Sequence, residues 1–228
     1  MNNKIKLLTF YSDSHKEFYE KYFLESFNEF LKDDFKLHTL HVDQLSPNGA
    51  FGSSGFEETM LLKIKHIINN IDTQSDDKLV YADCDIQFFQ NIKDDLFNEL
   101  GDYDIKFQDD VICLCAGFFI CKQNKTILNF FKQILSVLEN NMSNGKLRSG
   151  LSDQIIINNF YNRKLHNTKI GKLPKRYFTV ASSSAGPKQW TGQPFNLPPN
   201  IILHHANWTV GYDNKIKLLN YIKDKIKK

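Results

Sequence analysis

The chain has 228 residues, of which 41% are hydrophobic and 13% aromatic, a composition too apolar for a disordered protein. The 29 basic residues are interleaved with 26 acidic ones and leave a net charge of +3, without the basic cluster of a nucleic-acid-binding surface. No apolar stretch approaches the ~20 residues of a membrane-spanning helix, and no signal-peptide core is visible. We therefore expect a cytoplasmic protein with no nucleic-acid partner and no transmembrane segment.

The N-terminal part of the chain alternates strand-like and helix-like patterns. The predicted elements, in order, are strand Ile5–Tyr11, a helix with aromatic residues at helical spacing from Phe18 to Phe30, strand Phe35–Val42, a glycine-containing loop over Asp43–Phe56, helix Glu57–Asn70 and strand Lys78–Ala82. Such alternation favours an α/β fold with a mixed, mostly parallel sheet flanked by helices.

The C-terminal part begins with a strand-rich stretch and ends with helices. The predicted elements are strands Ile86–Phe89, Asp104–Gln108, Val111–Cys115 and Phe118–Cys121, helices Lys125–Asn141 and Ser152–Tyr161, an irregular stretch Leu173–Pro199, strand Asn200–His205 and helix Asn214–Lys227. No linker divides the chain, which predicts one domain over residues 1–228. The four cysteines match no zinc-binding spacing, so we expect reduced structural thiols.

Two carboxylates, Asp83 and Asp85, follow directly after the apolar strand Lys78–Ala82. Ligands of open parallel sheets bind beyond the C-terminal ends of the strands. Residues i and i+2 of an extended segment point to the same side, so the two side chains can converge on one hard cation that keeps open positions for phosphate oxygens. The alternative is a solvated turn after a strand, because paired acids are common in this chain.

Four segments in order carry a resemblance to a known family. Val80–Ile86 resembles the strand and Asp-x-Asp motif of GT-A glycosyltransferases. Three further segments resemble motifs of the same group, namely Ala116–Ile120 (their Asn-Ala-Gly-Phe strand), Ser152–Gln154 (their Asp-Gln helix start), and His204–Trp208 with Gly211 and Lys215 (their C-terminal His–Gly–Lys element). The order is that of nucleotide-diphospho-sugar transferases related to glycosyltransferase families 8 and 77.

The resemblance spans residues 5 to about 219 and implies a single GT-A, Rossmann-like domain. Its nucleotide-binding half would be residues 1–122 and its acceptor half residues 123–228. Two departures bear on the substrate. Cys115 stands where the family has Asn, and the spacing from Gly211 to Lys215 is one residue longer than in the family 8 pattern.

The resemblance also implies a metal centre. Asp83 would contact the metal or the ribose, Asp85 would bind the metal, and His205, or otherwise His204, would complete the ligand set. Lys215 would contact the diphosphate. Imidazole beside carboxylates suits Mn²⁺ better than Mg²⁺, so we expect Mn²⁺ (or Mg²⁺). The alternative for the histidines is a strand with one buried and one exposed ring.

Asp153 and Gln154 are the candidate catalytic residues. The resemblance implies that they contact the donor sugar or stabilise the transition state. The alternative is simple capping of the helix that starts there.

Five further positions are assigned to the nucleotide-sugar. Thr9 and Tyr11 end the first strand, at the edge that receives the base in this fold, and Tyr11 would stack on uracil. The alternative for Tyr11 is a half-buried strand aromatic. Lys63 would contact phosphate, and Gly117 and Gly211 belong to motifs that line the donor.

The expected reaction is transfer of a sugar from UDP, or another nucleoside diphosphate, to a hydroxyl of a glycan, a protein or a small molecule. The resemblance implies retention of the anomeric configuration. A phosphohydrolase with Asp83 as nucleophile and Asp85 as acid–base is the first alternative. Gln87 counts against it, because such enzymes have Thr or Val at that position. A non-catalytic nucleotide-sugar binder is the second alternative.

Overall fold

The computed structural model describes residues 4–47, 53–143, 151–180, 190–209 and 211–226. Part of the predicted glycine-containing loop, residues 48–52, lies outside these ranges. Six strands form the main sheet in the order β2-β1-β3-β6-β5-β7. Their bounds are β1 Ile5–Tyr11, β2 Phe35–His41, β3 Lys78–Ala82, β5 Ile105–Asp109, β6 Leu114–Lys122 and β7 Ile170–Lys172.

The main sheet is mixed and mostly parallel. β1 runs parallel to β2 and β3, and β5 runs parallel to β7, whereas β6 is antiparallel to both of its neighbours. This arrangement, with helices on both faces, confirms the predicted fold class.

Helices cover the two faces of the main sheet. Their bounds are α1 residues 16–30 (with a π-helical turn at Tyr19–Leu24), α2 Phe56–Asn70, α3 Lys93–Leu100, α4 Lys125–Ser143, α5 Asp153–Arg163 and α6 Tyr212–Ile226. Buried apolar residues of α2, α4 and α5 form one core with the sheet, and those of α1 and α3 form a second core on its other face. These five helices each present one apolar side to the main sheet, as their sequence period predicts, whereas α6 packs in a third cluster with residues of α1 and with Phe178.

A second sheet joins distant parts of the chain. It has the order β4-β9-β8, with bounds β4 Ile86–Phe88, β9 Leu203–His205 and β8 Tyr177–Thr179. β4 is antiparallel to β9, and Ile86 pairs with His205. The residues just before β4 therefore lie beside the end of β9.

The predicted secondary structure was incomplete or wrong in three places. α3 lies between the predicted strands Ile86–Phe89 and Asp104–Gln108, where no element was predicted, and its Leu96 and Leu100 are one helical turn apart and fully buried. β6 is one strand instead of two, because pairing with β3 continues through its second half. β8 interrupts the proline-rich stretch predicted to be irregular, because β9 supplies a pairing edge.

The four cysteines are free thiols, as predicted. Across the described ranges, every helix is too short or too polar to traverse a lipid bilayer. The cytoplasmic location stays a prediction.

Candidate metal centre and donor site

Asp83, Asp85 and His205 converge at the edge of the main sheet. Each offers one ligand atom, and the three atoms lie within 4.8 Å of one another. His205 Nε2 lies 3.2 Å from Asp85 Oδ1 and 3.8 Å from Asp83 Oδ2. The second sheet produces this convergence, because its Ile86–His205 pairing sets the end of β9 against the turn that carries the two aspartates.

The outer oxygens of both aspartates are held by other side chains. Tyr81 donates its hydroxyl to Asp83 Oδ1 at 2.6 Å, and Lys63 Nζ lies 3.2 Å from the same oxygen. Lys215 forms an ion pair with Asp85 Oδ2. The remaining oxygens, Asp83 Oδ2 and Asp85 Oδ1, face His205. Both carboxylates are therefore oriented with one free oxygen toward a common point.

These residues fit a divalent cation. Two carboxylate oxygens and an imidazole nitrogen are hard and borderline donors that suit Mn²⁺. Three protein ligands leave coordination positions open for phosphate oxygens. The Asp83 side chain is 28% exposed, so the centre is open to solvent on its side. The three residues are thus positioned to bind one metal ion.

His204 points to the other side of β9. It is fully buried, and its Nδ1 lies 3.3 Å from Gln87 Nε2. Burial lowers the pKa of His204 to about 3, so its ring is neutral. Strand alternation therefore makes His205 the metal-facing member of the pair.

Lys215 is placed by the first turn of α6. Gly211 precedes this helix with φ of +93°, a conformation that favours glycine, and its carbonyl accepts from Lys215 N at 3.1 Å. Burial by itself would lower the pKa of Lys215, but Asp85 outweighs it and the pKa is raised. Burial would also raise the pKa of the Asp85 carboxyl, yet Lys215 and His205 hold it well below its usual range. Both groups are charged at neutral pH.

Lys63 links the metal centre to Asp153. Its side chain is 3% exposed, and Nζ lies 2.9 Å from Asp153 Oδ2, 3.2 Å from Asp83 Oδ1 and 3.1 Å from Ala116 O. Burial by itself would lower the pKa of Lys63, but Asp153 and Asp83 raise it above its ordinary value. The predicted contact of Lys63 with phosphate would require these buried contacts to break.

Asp153 and Gln154 begin α5, whose N-terminus is capped by a different residue. The Ser152 hydroxyl accepts from Ile155 N at 3.3 Å. Gln154 Oε1 accepts from Ala116 N at 3.1 Å, which ties this helix to β6. The Asp153 carboxylate serves both the helix and the lysine: Oδ1 accepts from Gln154 N at 2.8 Å, as the capping alternative predicts, and Oδ2 pairs with Lys63.

Gly117 permits the close approach of the two sides of the centre. A Cβ at this position would lie 2.2 Å from His205 Cε1 and 2.5 Å from Asp83 Oδ2. We expect Gly117→Ala to push His205 and Asp83 apart, to destabilise the fold by about 1–3 kcal/mol, and to weaken metal binding. Denaturant unfolding and calorimetric Mn²⁺ titration measure the two effects. Gly192→Ala is the control for Mn²⁺ binding, because no atom of the described residues lies within 4 Å of the position that its Cβ would take; its φ of +110° makes some loss of stability expected there, with Mn²⁺ affinity unchanged.

The two residues predicted to receive the base lie in different surroundings. The Thr9 hydroxyl is buried and has no hydrogen-bond partner among the described residues. The Tyr11 ring stacks on Tyr19 at 4.3 Å and on His41 at 4.8 Å between ring centroids. Contact of Thr9 with a nucleotide would require local opening, and stacking of a base on Tyr11 would require one of these rings to move.

Sequence reasoning missed two polar residues next to the centre. Gln108 Oε1 lies 3.0 Å from His205 Nδ1, although in the sequence it is only the end of an apolar strand. His15 follows β1, and burial, with a smaller contribution from Lys215, lowers its pKa. The sequence signal that could have indicated Gln108 is an amide that directly follows Phe107 at the end of a predicted strand, because an amide buried there needs hydrogen-bond partners.

The fold is similar to those of two solved glycosyltransferases. The glycosyltransferase GlyE of Streptococcus pneumoniae TIGR4 matches with a TM-score of 0.58 at 15% identity, over 98% of this chain. The present chain spans only 64% of the length of GlyE. A glycosyltransferase involved in the glycosylation of the major capsid of PBCV-1 matches with a TM-score of 0.60 at 8% identity, over 97% of this chain and 99% of that one. At these identities the likeness establishes the fold alone.

The family follows from the sequence. No curated protein matches the chain. The family model described as nucleotide-diphospho-sugar transferase matches residues 24–219, which include Lys63, both aspartates of the metal centre, Asp153, His205 and Lys215. The chain therefore belongs to the nucleotide-diphospho-sugar transferase family of glycosyltransferases.

Proposed function

We propose that this protein transfers a sugar from a nucleoside diphosphate, with UDP as the expected nucleotide, to a hydroxyl acceptor, and that the reaction depends on a divalent cation, Mn²⁺ in the first place. The observation that carries the proposal is the convergence of Asp83, Asp85 and His205, within 4.8 Å, at the end of a parallel strand in a member of this family. Ligands of such sheets bind at this edge.

The charges around the centre suit a departing diphosphate. A bound cation would supply positive charge where negative charge develops on the leaving group. Lys215 adds an ammonium group next to Asp85, and a compact charge of this kind is a common phosphate ligand. We propose that Lys215 exchanges part of its contact with Asp85 for a diphosphate oxygen when the donor binds. The lysine then stabilises charge that is larger after bond cleavage than before it.

The sugar would lie between the diphosphate and the start of α5. Asp153 is connected to Asp83 through Lys63, which holds all three side chains in one buried network. This network gives the Asp153 carboxylate a defined position, and we propose that it and Gln154 orient the donor sugar. Retention of configuration, a donor half in residues 1–122 and an acceptor half in residues 123–228 stay predictions that follow from the family resemblance.

The function is tested by product release from two substrate classes. UDP-sugars are incubated with the protein, with and without Mn²⁺, and free UDP is measured. p-Nitrophenyl phosphate is assayed in parallel. We expect UDP release that requires Mn²⁺ and no release of phosphate from the aryl ester. Phosphate release from the ester would instead support the phosphohydrolase. Tight UDP binding without any turnover, in the presence of varied hydroxyl acceptors, would support the non-catalytic binder, and either result would overturn the proposal.

A further inference from the structure

Gln108 is a fully buried amide whose orientation is determined by two backbone carbonyls. Its Nε2 lies 3.2 Å from Tyr177 O and 3.1 Å from Phe178 O, both on β8. Carbonyl oxygens only accept, so the amide nitrogen, with its two protons, must face them. A flipped amide would place three acceptor oxygens together without a proton between them. The oxygen of Gln108 therefore points in the opposite direction.

That oxygen faces His205. Gln108 Oε1 lies 3.0 Å from His205 Nδ1, and an amide oxygen can only accept. His205 Nδ1 must therefore carry a proton. Among the described residues, the Cys115 sulfur also lies near Nδ1, at 3.5 Å, and it can accept weakly from the same proton. With Nδ1 holding this proton, Nε2, the atom that faces Asp83 and Asp85, is the ring nitrogen that would offer its lone pair to a cation placed between them.

A register shift between strands β5 and β6 brings Gln108 to this position. The register between β5 and β6 shifts between Phe107 and Gln108, from Phe107 opposite Phe119 to Gln108 opposite Cys115. Such irregularities bend a strand and redirect the following side chain, and they are common next to functional sites. Here the redirected side chain bridges β8 and the end of β9.

We propose that Gln108 is a positioning residue that holds His205 with a proton on Nδ1, so that Nε2 is available to the cation. This inference rests on the proposed function of the metal centre. Ligand histidines in metal sites usually donate their second ring N–H to an oxygen, and loss of that partner weakens metal binding about 10- to 100-fold. A carboxamide anchored by two main-chain carbonyls supplies that partner here.

The first test uses the unaltered protein. Long-range ¹H–¹⁵N NMR distinguishes a protonated ring nitrogen from an unprotonated one, and diamagnetic Mg²⁺ can be added without broadening the signals. We expect His205 Nδ1 to be protonated both without metal and with Mg²⁺. An unprotonated Nδ1 would overturn the inference, whatever the behaviour of any variant.

The second test compares three variants by calorimetric titration with Mn²⁺. Gln108→Leu is expected to bind Mn²⁺ about 10- to 100-fold more weakly and to lose the protonated Nδ1 signal in part or in full. Gln108→Met keeps the length of the side chain but offers no amide oxygen to His205, and it is expected to weaken Mn²⁺ binding to a similar degree. Gln87→Leu is the matched control, because Gln87 is also a buried amide and contacts His204, the residue that faces away from the centre. It is expected to bind Mn²⁺ as the wild type does.

The outcomes distinguish the proposed metal-dependent function from the proposed role of Gln108. Failure of the wild type to bind Mn²⁺ would contradict the metal-dependent function, while the NMR result would still decide the role of Gln108. If the wild type and Gln108→Leu both bound Mn²⁺ with equal affinity, the role of Gln108 would be overturned while the metal-dependent function would stand. Equal weakening of Mn²⁺ binding in Gln87→Leu would show that the loss comes from general destabilisation, and wild-type affinity in Gln108→Met would show that the amide oxygen is not needed; either result would overturn the inference as well.

Discussion

Asp85→Asn is expected to lower sugar transfer by about 1000-fold and to abolish detectable Mn²⁺ binding. The substitution removes a negative charge from a centre where three of the described residues are positioned to bind a metal, and it leaves the Lys215 ammonium without its buried partner. Loss of a single group that stabilises developing charge commonly costs 10²- to 10³-fold in rate, and loss of the cation removes more than one such contribution. Initial rates of UDP release and calorimetric Mn²⁺ titration measure the two effects.

Asp34→Asn is the matched control for this substitution. Asp34 also pairs with a lysine, Lys93, but at the surface, where the two side chains are 30% and 34% exposed. We expect its rate and its Mn²⁺ affinity to stay within about twofold of the wild type, because exposed pairs contribute little. Circular dichroism establishes that both variants are folded at the assay temperature. If the folded Asp85→Asn variant transferred sugar at the wild-type rate, Asp85 would not be a ligand of a catalytic metal.

Lys63→Met is expected to destabilise the protein by about 3–5 kcal/mol. Methionine keeps most of the length and apolar volume of lysine but removes the ammonium group that pairs with Asp83 and Asp153. The loss of one partner of a buried ion pair is costly because the remaining charge stays buried without compensation. For a chain of this size, such a loss corresponds to a decrease in Tm of about 10 °C, which differential scanning calorimetry measures.

Lys65→Met tests whether the loss of stability in Lys63→Met arises because the Lys63 ion pairs are buried. Lys65 lies on the same helix and pairs with Glu139, but both side chains are more than 40% exposed. Its substitution is expected to change the unfolding free energy by less than about 0.5 kcal/mol. If Lys63→Met and Lys65→Met had the same Tm, the buried network would not be a source of stability.

The longer elements were predictable because one face of each is buried against a large core. β1 and β3 have the predicted bounds, and α2 begins one residue earlier than predicted. A helix or strand that is buried on one side has apolar residues at regular spacing in its sequence. This spacing is the same whichever element packs against the buried side. Strands of three residues, such as β7 and β8, carry no such period, since their pairing depends on a neighbour that is distant in the sequence.

The residue types of the metal centre were predictable from the sequence motif, but the directions of the side chains were not. An Asp-x-Asp pair after an apolar strand and two adjacent histidines indicate the residue types of a cation site at a sheet edge. The sequence cannot indicate that Tyr81, Lys63 and Lys215 occupy the outer carboxylate oxygens, because those contacts join separate elements. These contacts determine which carboxylate oxygens are left to face His205.

The amino-acid pattern was enough to establish the class of fold, the family and the residue types that could bind a metal. The three-dimensional arrangement was needed to establish that His205 and not His204 faces the aspartates, that Lys63 is a buried link, and that Gln108 contacts His205. The difference arises because apolar periodicity and local motifs depend on nearby residues. The direction of a polar side chain depends instead on strand register and on partners brought together by the second sheet, such as Ile86 opposite His205.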